Sequence, residues 1–141
     1  MLGDGCAIEA FESSIFSPID GEVSIFDLNT VMSFETEEGL EILFHLGIGN
    51  ISSSHFPKDI SILSIKDKLV LNSIKRIVED GLYSKGTKLV EYDYKVIKEN
   101  YLSMKSPLII MNMDMIEKID IVESGEVKVG DLIMKVLLKN Q

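Results

Sequence analysis

Short runs of β-branched and aromatic residues recur along the chain, and glycine, proline, aspartate and serine separate them. Runs of this length between turn signals predict β-strands. A series of such strands is typical of an all-β sandwich or barrel with antiparallel pairing. The clearest predicted strands are Gly21–Phe26, Val31–Thr36, Leu40–Phe44, Thr87–Tyr92, Leu108–Met111 and Asp131–Leu138.

The polar segment Glu35–Gly39 lies between two of these predicted strands and has the composition of a hairpin turn. It predicts that Val31–Thr36 pairs with Leu40–Phe44. This pairing would bring Thr30 and His45 side by side at the same end of the ladder.

Turn signals elsewhere predict smaller elements. The stretch Tyr94–Tyr101 carries apolar residues among polar ones, and we expect one or two helical turns there. Val122–Gly125 and Val129–Asp131 predict tight turns that flank a short strand.

The composition describes one globular domain, which we expect to span residues 1–141. No apolar run is long enough to cross a bilayer, and the first residues lack a signal-peptide pattern. The net charge of −9 argues against nucleic acid and anionic membranes as partners. One cysteine, Cys6, forms no internal disulfide, so a reducing cytoplasm is the expected location and a small buried apolar role is expected for its side chain.

The candidate chemistry centres on His45, which ends an apolar run and is followed closely by glycines in the segment Gly39–Gly49. The chain has only two histidines, so few side chains can act near neutral pH. A histidine in such a run is either a hydrogen-bonded core residue or a deliberately presented one.

Several motifs with recognisable order and spacing surround His45. Together they resemble the glucose-type IIA component of the bacterial phosphoenolpyruvate-dependent sugar phosphotransferase system. The resemblance covers most of the chain and implies an antiparallel β-sandwich of the barrel-sandwich hybrid type, with short helical turns. The motifs are Gly3–Ile8, Ser17–Gly21, Ile25–Asn29, Glu91–Asp93, Ser106–Asp114 and Gly125–Asp131.

The resemblance implies a cytoplasmic phosphocarrier, which is a transferase component of sugar transport. It would accept a phosphoryl group on a histidine from the phosphocarrier protein HPr and pass it to a IIB sugar-transport component. No cofactor is implied. No metal is expected either, because the family's occasional zinc contacts use both active-site histidines.

Within this family His45 matches the phosphoryl-accepting histidine. One imidazole nitrogen would attack, and the other would donate its proton to a backbone carbonyl, which Gly47 and Gly49 are placed to supply. Apolar side chains around the histidine would form the docking surface. Because strand side chains alternate, we favour Leu43 over Phe44 for that surface. The expected docking residues are Phe26, Leu43 and Ile51.

The sequence departs from the family pattern beside the histidine. Thr30 occupies the position of a second histidine that hydrogen-bonds the phosphoryl oxygens, and it is assigned a weaker accessory role in catalysis. Threonine donates one hydrogen bond but carries no positive charge. Removing one such donor costs about 2.7–4 kcal/mol of transition-state stabilisation. Leu28 replaces a hydroxyl residue and Gly49 replaces an aspartate, so onward transfer is expected to be slow.

The resemblance lapses in two places. The first is at the start, where relatives carry an opening strand before their counterpart of Gly3–Ile8, whereas in this sequence Met1 nearly coincides with that motif. An inserted segment at about 52–71 has alternating apolar positions that predict an extra hairpin near the reactive face, and it contains His55, which we interpret as an exposed loop residue.

A second hypothesis keeps the fold without the chemistry. The chain would then be a regulatory or binding module that has lost efficient phosphoryl transfer. Two other classes are disfavoured by residue content. Two histidines are too few for a zinc peptidase, and Lys128 lacks the flanking residues of a lipoyl or biotinyl attachment site.

Overall fold

A computed structural model describes residues 4–9, 13–26, 29–47, 65–100, 105–122, 125–128 and 130–139. The strands in these segments are β1 Asp4–Glu9, β2 Ser14–Phe16, β3 Gly21–Phe26, β4 Val31–Glu35, β5 Glu41–His45, β6 Lys75–Arg76, β7 Gly81–Tyr83, β8 Lys88–Glu91, β9 Lys105–Ile110, β10 Ile116–Ile121 and β11 Met134–Leu138. The helices are α1 Ile65–Asn72, α2 Tyr94–Asn100 and a 3-10 turn at Met113–Met115.

The described strands form a six-stranded sheet in the order β1-β9-β5-β4-β3-β7, a three-stranded sheet in the order β2-β8-β6, and the β10–β11 ribbon. Their pairings are antiparallel. The predicted antiparallel all-β fold with short helices is therefore confirmed. No helix in the described segments is long and apolar enough to cross a membrane.

The predicted strands correspond closely to observed ones. Gly21–Phe26 matches β3 at both ends, and each of the other five overlaps a strand of the sheets. The helix predicted at Tyr94–Tyr101 is α2 as far as Asn100, and residue 101 lies outside the described segments.

The hairpin between β4 and β5 forms as the turn sequence predicts. The Thr36 amide donates to the Leu40 carbonyl at 3.0 Å, and the Gly39 amide donates to the Thr36 carbonyl at 2.9 Å. Gly39 has φ +92°, a left-handed conformation that glycine adopts without penalty. The tight turn therefore fixes which residues of the two strands face each other.

Alternating burial along the six-stranded sheet gives it an inner and an outer face. Met32 lies opposite Phe44, and Phe34 lies opposite Ile42. These inner side chains are buried and belong to one apolar cluster with residues from the three-stranded sheet and both α-helices. The cluster members outside the six-stranded sheet include Val70, Ile74, Leu89, Val90, Tyr92, Ile97 and Ile116.

The structure corrects two expectations about smaller elements. In the segment 52–71, where an extra hairpin is expected, residues 65–71 belong to the helix α1, whose buried Val70 packs into the core. The part of that segment at 52–64 lies outside the described residues. No strand forms at 126–128, since the Lys128 amide donates to Asp131 Oδ2 at 2.8 Å and closes a local turn.

Side chains complete the edge of β3 beyond the end of β7. β7 pairs with β3 only from Gly21 to Val23. Farther along, the Ile25 amide donates to Asp80 Oδ1 at 3.0 Å, and the Arg76 guanidinium donates to the Ile25 carbonyl. Arg76 and Asp80 also pair with each other at 3.4 Å. Together these two side chains make the hydrogen bonds to Ile25 that a residue of a neighbouring strand would otherwise make.

Candidate functional site

His45 is the last residue of β5 and lies on the outer face of the six-stranded sheet. The strand has the burial pattern exposed, buried, intermediate, buried, intermediate from Glu41 to His45. Leu43 and His45 therefore share the outer face, while Phe44 faces the core and is 7% exposed. The ring is neither enclosed in the core nor fully open to solvent.

Apolar side chains lie beside His45 on this outer face. Val31 is its direct partner on β4, and Phe26 on β3 lies directly opposite Val31. Phe26 is 42% exposed, which is a large exposure for a phenylalanine in a sheet. Leu43 lies opposite Ile109 on β9, and both are half-buried. We call Phe26, Val31, Leu43 and Ile109 the apolar patch.

The opposite end of the same face is acidic. Glu22 lies opposite Glu35, and Glu35 lies opposite Glu41, so three strands carry one row of carboxylates. All three side chains are exposed. Like charges placed directly opposite each other destabilise a sheet. We call Glu22, Glu35 and Glu41 the glutamate row.

Thr30 is close to His45 along the ladder but is not its direct partner. The register places Val31 opposite His45, so the predicted side-by-side pair is shifted by one residue. Thr30 is 0% exposed, and its carbonyl accepts a hydrogen bond from the Leu46 amide at 2.8 Å. Asn29, just before it, has a left-handed φ of +68°, and the alternation of side chains along the strand places Thr30 on the inner face with Met32. Thr30 is therefore buried and does not line the surface on which His45 lies.

The turn after His45 is fixed from two sides. The Leu46 amide donates to the Thr30 carbonyl of the β4 segment. The Gly47 amide donates to the hydroxyl of Ser106 at 2.9 Å, and Gly47 has φ +72°. Gly47 is buried, whereas Gly49 and Ile51 lie outside the described residues, as do Leu28 and His55.

Ser106 and Asn112 are site and hairpin residues that sequence reasoning did not single out. Asn112 holds the β4–β5 turn, because its Oδ1 accepts from the Glu41 amide at 2.9 Å and its Nδ2 donates to the Gly39 carbonyl at 2.7 Å. Both residues belong to the motif Ser106–Asp114. The motif marked the segment as part of the family resemblance, but it did not indicate which backbone groups Ser106 and Asn112 would hydrogen-bond.

Among the described residues, the remaining candidate groups show no second reactive centre. Cys6 is half-buried against the core, and burial raises the pKa of its thiol, which keeps it protonated and unreactive near neutral pH. Within the described residues, no group of three or more His, Cys, Asp and Glu side chains is arranged to hold a metal ion.

Comparison with known proteins agrees with this geometry. Residues 1–62 match the family described as phosphoenolpyruvate-dependent sugar phosphotransferase system, EIIA 1. The chain is 30% identical over 141 residues to the glucose-specific EIIA component of Haemophilus influenzae, covering 99% of this chain and 75% of that relative. It is also 30% identical over 131 residues to the N-acetylglucosamine-specific EIICBA component of Escherichia coli, of which it covers 18%.

A solved structure shares the fold. The glucose permease IIA of Mycoplasma capricolum superposes with a TM-score of 0.73 at 31% sequence identity, covering 95% of this chain and 77% of that one. The chain belongs to the EIIA family of the sugar phosphotransferase system.

Proposed function

We propose that His45 is the phosphoryl acceptor of a phosphocarrier that takes its phosphoryl group from HPr and gives it to a IIB sugar-transport component. The observation that carries this proposal is the position of His45. It is partly exposed at a strand end beside an apolar patch, in a chain of the EIIA family.

The chemistry needs one neutral imidazole. Its unprotonated nitrogen attacks the phosphorus of the donor phosphohistidine, a new P–N bond forms, and the donor's P–N bond breaks as the donor nitrogen regains its lone pair. The reverse roles apply when His45 becomes the donor to IIB. The protein's contribution is to hold the ring in line and to let a second protein approach it closely.

The outer face is suited to protein docking. The apolar patch supplies exposed Phe26 and half-buried Leu43 and Ile109 next to the reactive ring. Aromatic anchors often dominate the energy of protein interfaces, and the contacts around them exclude water. The glutamate row lies on the same face and would attract a partner with a basic rim, which speeds encounter.

Thr30 gives the site only indirect support. Its side chain is fully buried, so it does not replace the charged donor of a second histidine. Its backbone carbonyl holds the Leu46 amide and so contributes to the turn that follows His45. We therefore propose that phosphoryl acceptance is retained and that onward transfer is slower than in relatives with two histidines. The accessory role of Thr30 is structural in this proposal.

The experiment is transfer of label from phosphoenolpyruvate. Incubating the purified chain with radiolabelled phosphoenolpyruvate, enzyme I and HPr should give one acid-labile phosphohistidine. His45→Ala should abolish the label, whereas His55→Ala, which removes the other histidine, should retain it. Unlabelled wild-type protein, or label that persists in His45→Ala, contradicts the proposal.

The wider assignment follows from the same family membership. We infer that residues 1–141 form one IIA-like domain with an insertion at about 52–71, acting in the cytoplasm with HPr and IIB as partners. The relatives do not favour the alternative of a binding module without transfer, because they are named as EIIA components. Binding of a partner that is unchanged by His45→Ala, in a protein that takes no label, would favour that alternative.

A further inference from the structure

The two backbone amides directly after His45 donate hydrogen bonds to two different neighbouring segments of the sheet. Leu46 donates to the Thr30 carbonyl on one side, and Gly47 donates to the Ser106 hydroxyl on the other. The second contact joins residues that are 59 apart in sequence. A turn held from both sides has less freedom to change the direction of the residue that precedes it.

Ser106 is a fully buried serine at the second position of β9. It is 0% exposed and is followed by Pro107, whose ring restricts the backbone of the residue before it to extended conformations. The backbone that carries the Ser106 hydroxyl is therefore conformationally restricted. The partner, Gly47, is buried and has a left-handed φ of +72°. Glycine adopts this conformation without a steric penalty, and the hydrogen bond to Ser106 favours it over the other conformations open to a glycine.

We propose that Ser106 is a positioning residue for His45 and acts through the Gly47 amide. This inference rests on the proposed function of His45 as phosphoryl acceptor. The Ser106 hydroxyl holds the turn, the turn sets the end of β5, and the end of β5 sets the direction of the imidazole. A reacting nitrogen displaced by about 1 Å costs on the order of a hundred-fold in rate.

The test compares two buried serines. Ser106→Ala removes the acceptor of the Gly47 amide and leaves a buried donor unsatisfied. Ser17→Ala is the matched control, because Ser17 is also buried, at 3% exposure, and its hydroxyl donates to the Ile19 carbonyl at 2.7 Å, outside the site. Ser106→Thr keeps the hydroxyl and serves as the rescue.

The first measurement is kinetic. With HPr as the varied phosphoryl donor, Ser106→Ala should lower kcat about ten- to a hundred-fold and leave KM within about two-fold, because the apolar patch is untouched. Ser17→Ala should leave both constants at wild-type values, and Ser106→Thr should restore most of kcat. A rate for Ser106→Ala equal to that of Ser17→Ala overturns the proposal.

The second measurement needs no turnover. Nitrogen-15 spectra of the His45 ring report which nitrogen carries the proton and how firmly the ring is held. Ser106→Ala should change the His45 ring signals, and Ser17→Ala should leave them as in wild type. Unchanged signals in Ser106→Ala overturn the positioning role even if the chain takes no label, so failure of this proposal is distinguishable from failure of the proposed function.

If Ser106→Ala does not fold, Gly47→Ala addresses the same turn from the other side. A Cβ at φ +72° strains the backbone without removing the serine hydroxyl. It should change the His45 ring signals and lower kcat in the same direction. Wild-type ring signals in a folded Gly47→Ala protein overturn the proposal.

Discussion

The two faces of the β4–β5 hairpin are built from the same strands but have different roles. The inner face holds Met32, Phe34 and Phe44, which are buried and fix the fold. The outer face holds Leu43 and His45, which are partly exposed beside Phe26. Because side chains alternate along a strand, neighbouring residues can serve stability and recognition separately. The comparison predicts that adjacent substitutions will have separable effects.

The largest effect on stability is expected at the inner face. Phe44→Ala should lower the free energy of unfolding by about 3–5 kcal/mol, because it removes a buried ring and leaves a cavity. Denaturant unfolding measures the loss. Phe44→Leu, which fills more of the space, should lose less and remain folded for the labelling assay. A loss below about 1 kcal/mol for Phe44→Ala would mean that the two faces do not differ as described.

The turn of the hairpin lies at the end opposite His45 and offers a second comparison. Asn112→Ala removes the hydrogen bonds to the Glu41 amide and the Gly39 carbonyl, and should cost about 1–3 kcal/mol of unfolding free energy. Asn112→Asp keeps the acceptor and should cost less. The rate of phosphoryl transfer should stay at the wild-type value in both proteins. A transfer defect as large as that of Ser106→Ala would show that the two ends of the hairpin are coupled.

On the outer face, a substitution should change the binding of HPr more than the stability of the fold. Leu43→Ala should raise KM for HPr about ten-fold, corresponding to about 1.4 kcal/mol, and lower the unfolding free energy by less than Phe44→Ala does. The matched control is Leu137→Ala, at a leucine that is 54% exposed on β11. Equal KM values for the two proteins would exclude the apolar patch as the docking surface.

The smallest effect is expected at the glutamate row. Glu35→Gln removes the central charge between two like charges and should stabilise the protein by about 0.2–1 kcal/mol. It should also raise KM for HPr at low salt, and the difference should shrink as salt screens the charges. Glu38→Gln makes the same charge change in the turn, outside the row. Identical salt dependence in both variants would remove the row from the docking surface.

The sequence predicted most of what local pattern controls. The alternation in Val31–Thr36 and Leu40–Phe44 and the glycine at Gly39 were sufficient to predict the hairpin and the outward direction of Leu43 and His45. The prediction failed by one residue at Thr30. The turn sets the register, since the Thr36 amide bonds to the Leu40 carbonyl and Glu35 lies opposite Glu41, and counting back along both strands places Val31 opposite His45.

Long-range contacts were not predictable in the same way. Ser106 contacts Gly47 across 59 residues, and Asn112 contacts Glu41 across 71. Both contacts depend on β9 lying beside β5, and a single sequence does not show which strands are neighbours in a sheet. The helix α1 was missed for another reason. It is only eight residues long, and the apolar residues in so short a segment fit a strand pattern as well as a helical one.

The side chains of Arg76 and Asp80 affect whether another chain can pair with the edge of β3. They saturate the Ile25 amide and carbonyl just before Phe26, at a point where β3 has passed the end of β7. A free strand edge invites another chain to add itself as a further strand, without regard to that chain's side chains. With the Ile25 backbone groups occupied, an incoming molecule at this point meets side chains, namely the exposed Phe26 ring and the partly exposed Arg76 and Asp80. This part of the β3 edge therefore does not offer free backbone groups at Ile25 for generic β-sheet extension.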